Sequence, residues 1–381
     1  MAGYIMRNEV AFIYDERLTS HELSATHPLK PVRLKQTYEL LQSYRCFDSP
    51  NSNLVEPRPV TTDELLTFHT EGYIDAVRRF SAGSRIDDSQ AFNLGTGDNP
   101  IYPQMYEAAL LSTGASALAA DIIISGKADR VFSISGGLHH AMPGYAHGFC
   151  VFNDPVIAIN KLLVKGMRVA YIDVDCHHGD GVQHAYYETD RVLTVSIHEA
   201  GQFLFPGTGN VPEIGSGKGR GYSVNLPLYP YTSDSVYEWA FVETIPRLIE
   251  SFSPDILVTQ LGVDSHANDP LTHLRTTIQG FARVVEICDS WRIPKWIALG
   301  GGGYDLHAVA RAWTSAYGIM IGEDLSDKIP QTYGKKYGVQ NLFDMDIDFE
   351  EKLPQLPIRS YAEESVSSLK NLIYPKHGIH S

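Results

Sequence analysis

Val169-Ala170-Tyr171-Ile172-Asp173-Val174-Asp175-Cys176-His177-His178-Gly179-Asp180 runs from an apolar, strand-like segment straight into acids and histidines. On an extended backbone, successive side chains point to opposite faces. The spacing therefore predicts Asp173, Asp175 and His177 on one face and Ile172, Val174 and Cys176 on the other. Burying charge without a partner costs several kcal/mol per ion, as an order of magnitude. A divalent cation removes that cost, so the segment reads as a metal site at the end of a buried strand.

Four other short runs share this habit: Val131–Ser135, Val192–Ile197, Ile256–Leu261 and Trp296–Leu299. Helix-like stretches around 105–125, 153–165, 234–251, 273–289 and 305–320 separate them. Such alternation predicts a single α/β domain, with a mainly parallel central sheet and helices on both faces. His139 and His140 follow the first run, Asp173 to Asp180 the segment quoted above, and His198, Asp264 and Tyr304 the remaining three. The carboxyl ends of parallel strands form the ligand crevice of open sheets. Polar residues distant in sequence are thus expected to meet in one place.

The 381 residues are 43% hydrophobic and 20% charged, which is ordinary globular composition. A formal net charge of −14 argues against gripping a nucleic-acid backbone. It favours cationic substrates such as lysine-rich peptides or polyamines. Cys46, Cys150, Cys176 and Cys288 form no C-x-x-C pair and read as reduced thiols. Arg7, Glu9, Asp15 and Glu16 at the N-terminus argue against a signal peptide, and a cytoplasmic location is expected. The apolar stretch from Ala108 to Ile124 is broken by Ser112, Thr113, Gly114 and Asp121, so it reads as an amphipathic helix, with no membrane partner expected.

The alternating pattern runs from about residue 105 to 320, and residues 1–325 are expected to form one metal-dependent domain. Residues 326–381 change character, with Lys335, Lys336, the acidic run Asp344 to Glu351, Pro354 and Pro357. They read as a C-terminal extension packing on the domain or at a subunit interface, with disorder near 377–381. The chain shows no internal repeat.

The glycine-rich run Gly215 to Gly221 fails as a phosphate loop, because Gly219 follows Lys218 where Ser or Thr is required. It reads as a flexible surface loop. Gly300 to Gly303 lets the backbone turn sharply and presents Tyr304 to the crevice. His139-His140, with Asp173 and Asp180 nearby, suits general acid–base work, since a carboxylate on Nδ1–H sets the tautomer and raises basicity. His178 falls on the opposite face and reads as structural, and Cys150 and Cys176 as packing residues. Asp264, His266 and Asp269 all end or follow an apolar strand, and the residues alone do not choose between them as a further ligand.

Six ordered motifs now stand together: Gly136-Gly137-Leu138-His139-His140, Gly148-Phe149-Cys150 with Asn153-Asp154, Asp173 to Gly181, Phe205 to Gly209, Leu261 to Asp264, and Gly300 to Tyr304. In this order they resemble the zinc-dependent histone deacetylase superfamily, whose fold is shared with the arginases. The resemblance runs from about residue 10 to 325 and implies a sheet of about eight strands. His27-Pro28-Leu29-Lys30-Pro31-Val32-Arg33 is most similar to the bacterial acetoin-utilisation branch.

The resemblance implies Zn2+ on Asp175, His177 and Asp264, with His140 as the base that activates water there. His139 would assist, Asp173 and Asp180 would back the two histidines, and Tyr304 would donate to the acetyl carbonyl. Gly148, Phe149, Phe205 and Leu271 would line a narrow channel. It also implies K+ or Na+ at Asp173, Asp175, His177, Ser196 and Ile197, and a second such ion at Tyr186, Thr189, Val192 and Tyr222. One imidazole and two carboxylates form a fairly hard donor set, so Fe(II), Co(II) or Mn(II) would also suit it.

Between His140 and Gly148 the chain reads Ala-Met-Pro-Gly-Tyr-Ala-His, where many lysine deacetylases carry charge. Asp98, before Asn99-Pro100, is a candidate rim carboxylate. The expected activity is removal of acetyl or related acyl groups from lysine ε-amines of a protein or peptide. The alternative is a deacetylase of small acetylated amines such as acetylpolyamines. A two-metal ureohydrolase and a silent acyl-binding module are more distant rivals. A homo-oligomer is compatible with all of them.

Overall fold

Eight parallel strands in one sheet carry the molecule, in the order β2-β1-β3-β8-β7-β4-β5-β6. They are β1 (Val10–Ile13), β2 (Ser52–Val55), β3 (Arg130–Ser133), β4 (Val169–Asp173), β5 (Val192–Glu199), β6 (Ser223–Leu228), β7 (Ile256–Gln260) and β8 (Trp296–Leu299). The computed structural model describes residues 9–20, 22–84, 89–344 and 355–380. Arg7, residues 345–351 of the acidic run, Pro354 and Ser381 lie outside them.

Strands buried on both faces lack a polar side, so they read as continuous apolar runs. Strands β1, β3, β4, β5, β7 and β8 feed two cores by alternation. Val169 and Tyr171 of β4 enter one, and Ala170 and Ile172 the other. The first core is closed by α4 (Met105–Ser125), α5 (Asp154–Val164) and α6 (Asp180–Tyr186); the second by α7 (Asp234–Phe252), α8 (Ile278–Ser290) and α9 (Leu306–Ile321). Earlier in the chain come α1 (Val32–Ser43), α2 (Thr62–Leu65) and α3 (Glu71–Ser81); later come α10 (Gln331–Tyr337) and α11 (Ile358–Ile373).

Four sequence expectations change here. Strands β1, β2 and β6 are additions to the runs read from sequence: β1 and β2 are only four residues long, and β6 alternates polar and apolar residues but carries Pro227, as an edge strand can. Strand β4 ends at Asp173, so extended alternation does not reach His177; Asp175, Cys176 and His177 form a bend instead. Helix α8 starts at Ile278 and not near 273, because Thr277 caps it through a bond from Gly280 N–H and is itself held by Asp234. Helix α4 is not one-faced: buried residues surround it, packed between the sheet, α3 and α5. It is long and apolar enough to cross a membrane by composition, but 61% of its most apolar window is buried inside this molecule.

Helix α11 packs on β6 and α7. Its Ile358, Ala362, Val366, Leu369 and Ile373 belong to the same core as β4 and β5. The Gly215–Gly221 loop also packs down: Gly219 and Gly221 are buried, and a Cβ on Gly219 would lie 2.4 Å from the Tyr187 carbonyl oxygen.

Candidate active site

The turn after β3 is pinned by Asp154 at the start of α5. Its carboxylate accepts the N–H groups of Gly137 (2.9 Å) and Leu138 (2.8 Å) and the Ser116 hydroxyl (2.5 Å). Asn153 caps α5 and donates from Nδ2 to the carbonyls of His139 (3.1 Å) and Ala141 (3.0 Å). His69 closes this clamp by accepting the Asn153 N–H on Nε2 (3.0 Å), with Nδ1 3.1 Å from the Met142 carbonyl oxygen. Burial lowers its pKa to about 4, so the ring is neutral and that tautomer is set. The result is a rigid platform for the histidine pair.

His139 Nδ1 lies 2.7 Å from Asp173 Oδ2, and His140 Nδ1 lies 2.7 Å from Asp180 Oδ1. The two Nε2 atoms are 3.0 Å apart, a contact that needs one proton between them. Burial opposes charge on His139, yet Asp173 and Asp175 raise it to about 9. Burial and then the charged His139 push His140 down to about 3. His139 therefore donates across the pair, and His140 keeps an Nε2 lone pair. Asp173 sits in register with Gln260 and Ser196 of the flanking strands and also accepts the Tyr171 hydroxyl (2.7 Å).

Asp175, His177 and Asp264 are buried and bring three ligand atoms within 4.8 Å of one another. His177 Nδ1 is 3.1 Å from Asp175 Oδ1 and 3.0 Å from Asp264 Oδ2. The other carboxylate oxygens are already taken. Asp175 Oδ2 accepts Gln260 Nε2 (2.7 Å) and Gly302 N–H (2.8 Å), and Asp264 Oδ1 accepts Cys176 N–H (2.7 Å). Each acid thus turns one oxygen toward His177. A divalent cation bonded at roughly 2.0–2.2 Å fits a triangle of this size, and two carboxylates balance its charge. Gly302 makes the packing possible, since a Cβ there would lie 2.1 Å from Asp264 Oδ2.

Of the three candidates after β7, Asp264 joins the ligand cluster. His266 pairs with Asp344 (2.9 Å), and Asp269 holds the backbone N–H of Tyr304 (2.9 Å) and of Leu271 (2.9 Å). The Tyr304 side chain lines the same cleft as His139, His140 and His177. Burial, then Asp264 and Asp175, raise its phenol well above the usual tyrosine range, so it stays protonated.

Phe149 lines this cleft and meets Tyr304 edge-on at 5.8 Å between ring centroids. Phe205, 40% exposed, meets His140 at 5.1 Å. Gly148, at φ +50°, sits between them; a Cβ there would lie 2.4 Å from His140 Cδ2 and 2.9 Å from Phe205 Cε1. Leu271 is exposed on the loop of Asp269. Asp98 is exposed too, and its carbonyl oxygen is 3.2 Å from Nε2 of His27, whose ring abuts Phe149.

The expected monovalent-ion residues fall into two groups. Asp173 pairs in register with Ser196, next to Ile197, and Ser196 Oγ accepts Gly179 N–H (3.4 Å) behind Asp175 and His177. Tyr186 ends α6, Thr189 follows it and Val192 opens β5, and the loop leading to Tyr222 packs on that segment through Ser216 N–H to the Tyr187 carbonyl (2.8 Å). His178 pairs with Thr208 (2.8 Å), away from the cleft. All four cysteines are unpaired and buried.

Sequence reasoning gave no role to His69, Asn153, Asp154 or Gln260. Asn153 and Asp154 stood in a quoted motif, and Gln260 marks a strand's carboxyl end; His69 carried no local signal.

Comparison with known proteins agrees with this geometry. The histone deacetylase domain model matches residues 27–320. Acetoin utilization protein AcuC of Bacillus subtilis (strain 168) is 40% identical, over 88% of this chain and 88% of its own. Histone deacetylase 1 of Homo sapiens is 38% identical, over 85% of this chain and 67% of its own. A crystal structure of an HDAC homolog complexed with SAHA superposes with TM-score 0.86 at 30% identity, covering 95% of this chain and all of that one. An HDAC homolog from Aquifex aeolicus gives TM-score 0.84 at 29% identity, covering 94% of this chain and all of that one. Family model, relatives and fold agree, and the chain belongs to the histone deacetylase family.

Proposed function

We propose that the protein is a metal-dependent amidohydrolase that removes acetyl or related acyl groups from lysine ε-amines. The observation that carries this reading is the meeting of two carboxylate-backed histidines, a three-ligand cluster and a protonated tyrosine in one cleft. When bound at Asp175, His177 and Asp264, a divalent cation polarises an amide carbonyl and acidifies water. Zinc is the family's expectation, and the donor set also accepts Fe(II).

His140 offers its Nε2 lone pair to the proton of the attacking water and can return that proton to the lysine amine as the C–N bond breaks. Asp180 steadies the charge that His140 gains in between. His139, held by Asp173, presents an N–H toward the same space. Tyr304 donates its hydroxyl to the carbonyl oxygen as that oxygen becomes negative, the moment at which a preplaced donor counts most. Phe149 and Phe205 give the lysine stem apolar walls. Beside the cleft, Phe205 packs on His140 and Tyr145 on His147, and both expose large apolar surface, which a peptide backbone would cover and a slender amine would leave wet.

The test is product release from a fluorogenic acetyl-lysine peptide by metal-loaded protein, with and without a hydroxamate chelator. Turnover abolished by the chelator supports the reading. No turnover with metal bound, alongside hydrolysis of acetylputrescine, would replace lysine by small amines.

A further inference from the structure

His147 stands where the channel wall turns outward, and the mechanism above does not use it. Its Nδ1 lies 3.0 Å from Asp180 Oδ2, the oxygen not taken by His140. Yet that contact falls outside hydrogen-bonding geometry, and the nitrogen is buried without another partner. Phe205 packs on the ring at 4.7 Å between centroids and holds it in place. The ligand atoms of His140, His147 and Asp180 lie within 4.8 Å of one another, a second convergent cluster beside the first. His147 and Asp180 also face a groove of about 720 Å3 that carries Glu188 and Glu213 and gives cations a route in from solvent.

We propose that His140, His147 and Asp180 form a second divalent-cation site, of zinc-like chemistry, whose occupation silences hydrolysis. Two imidazoles and one carboxylate make a softer set than Asp175, His177 and Asp264, and match the two-histidine, one-carboxylate sets that hold zinc with an open position for water. The groove side supplies that open position. Inhibition follows from the tautomer. A neutral imidazole that binds a cation through Nδ1 carries its proton on Nε2. His140 then has no lone pair for the attacking water, and Asp180 no longer accepts its Nδ1–H. His140 gives up its Nδ1 proton to solvent and takes the Nε2 proton that His139 presents, so one proton still lies between the two rings and binding releases one from the pair. Existence of the site is independent of the reaction; its inhibitory effect rests on His140 acting as the base.

Equilibrium dialysis of the full chain against Zn2+, with metal analysis, tests the site without any substrate. Wild type should bind two ions, the second more weakly. His147→Ala and the more conservative His147→Asn should each keep one, and Asp264→Asn should keep one at the other cluster. A Co2+ titration should show two absorption changes in wild type and one in each His147 variant. A single ion in wild type, or two in both His147 variants, overturns the proposal. If the chain proves to be a deacetylase, zinc beyond one equivalent should inhibit it, and the His147 variants should need at least ~10-fold more, since loss even of a group that only supports a ligand costs about that much affinity. Two ions bound without inhibition would keep the site and refute the silencing.

Discussion

Charge and protons at the cleft are set residue by residue. Tyr304 reaches the reaction only through its hydroxyl, because Asp269 holds its backbone from behind. Tyr304→Phe should therefore lose about 10²–10³-fold in kcat, the usual cost of one oxyanion donor. Its metal content, read by elemental analysis, should not change, and full activity would remove its assigned role. His140→Ala should lose ~10²–10⁴-fold, the range for a general base, and should keep the tighter ion at Asp175, His177 and Asp264 while losing the weaker second one. Both variants keep Asp175, His177 and Asp264, so a parallel loss of the tighter ion would mean that this cluster had been misassigned.

At the scale of elements, the histidine pair depends on a clamp between α5 and the loop after α2. His69 must be neutral there, since protonation would set an N–H against the Asn153 N–H. Its folded pKa, about 4, lies below the ordinary 6.5. The neutral form is thus favoured by folding, and its stabilisation is complete above pH 6.5 and is lost as pH falls toward 4. The size is on the order of 3 kcal/mol. Urea unfolding at pH 7 and pH 5 should show wild type losing stability over that interval and His69→Gln losing less. An equal loss in both would place the acid sensitivity elsewhere. His69→Ala should cost about 1–3 kcal/mol at pH 7 by leaving the Asn153 N–H unpaired.

At the scale of the whole molecule, Asp344 ties three elements together. It takes His266 after β7 (2.9 Å), the Ile278 N–H of α8 (2.9 Å) and Arg311 of α9 (2.7 Å). Burial opposes its charge, but His266 and Arg311 hold the carboxyl well below the usual range. That stabilisation is present above the unfolded value near 3.9 and fades as pH falls below it. Asp344→Asn should destabilise by roughly 1–3 kcal/mol and weaken the acid dependence below pH 4. Helix α11 belongs to the same fabric. Leu369 is fully buried, so Leu369→Ala should cost ~2–5 kcal/mol in thermal or urea unfolding. A neutral result would make the C-terminal helix dispensable to the core.

Much of the architecture was legible because period and composition are local. The apolar runs at β4, β5, β7 and β8 and their polar ends announced a parallel sheet with its crevice at the carboxyl edge, and the order of the six motifs announced the family. Strands β1 and β2 were not legible, because four-residue segments become strands only when a neighbour supplies hydrogen bonds, and β6 was obscured by Pro227 within its alternation. Asp175, His177 and the histidine pair could be read from their own segments. The choice of Asp264 over His266 and Asp269 could not, since it depends on where a bend aims each side chain. The same holds for Asp344, an ordinary acid in an acidic run, and for His147, one residue in an uncharged loop. Hydrophobic pattern acts between neighbours in sequence, whereas charge balance and ligand geometry act between neighbours in space, and only the folded chain brings those together.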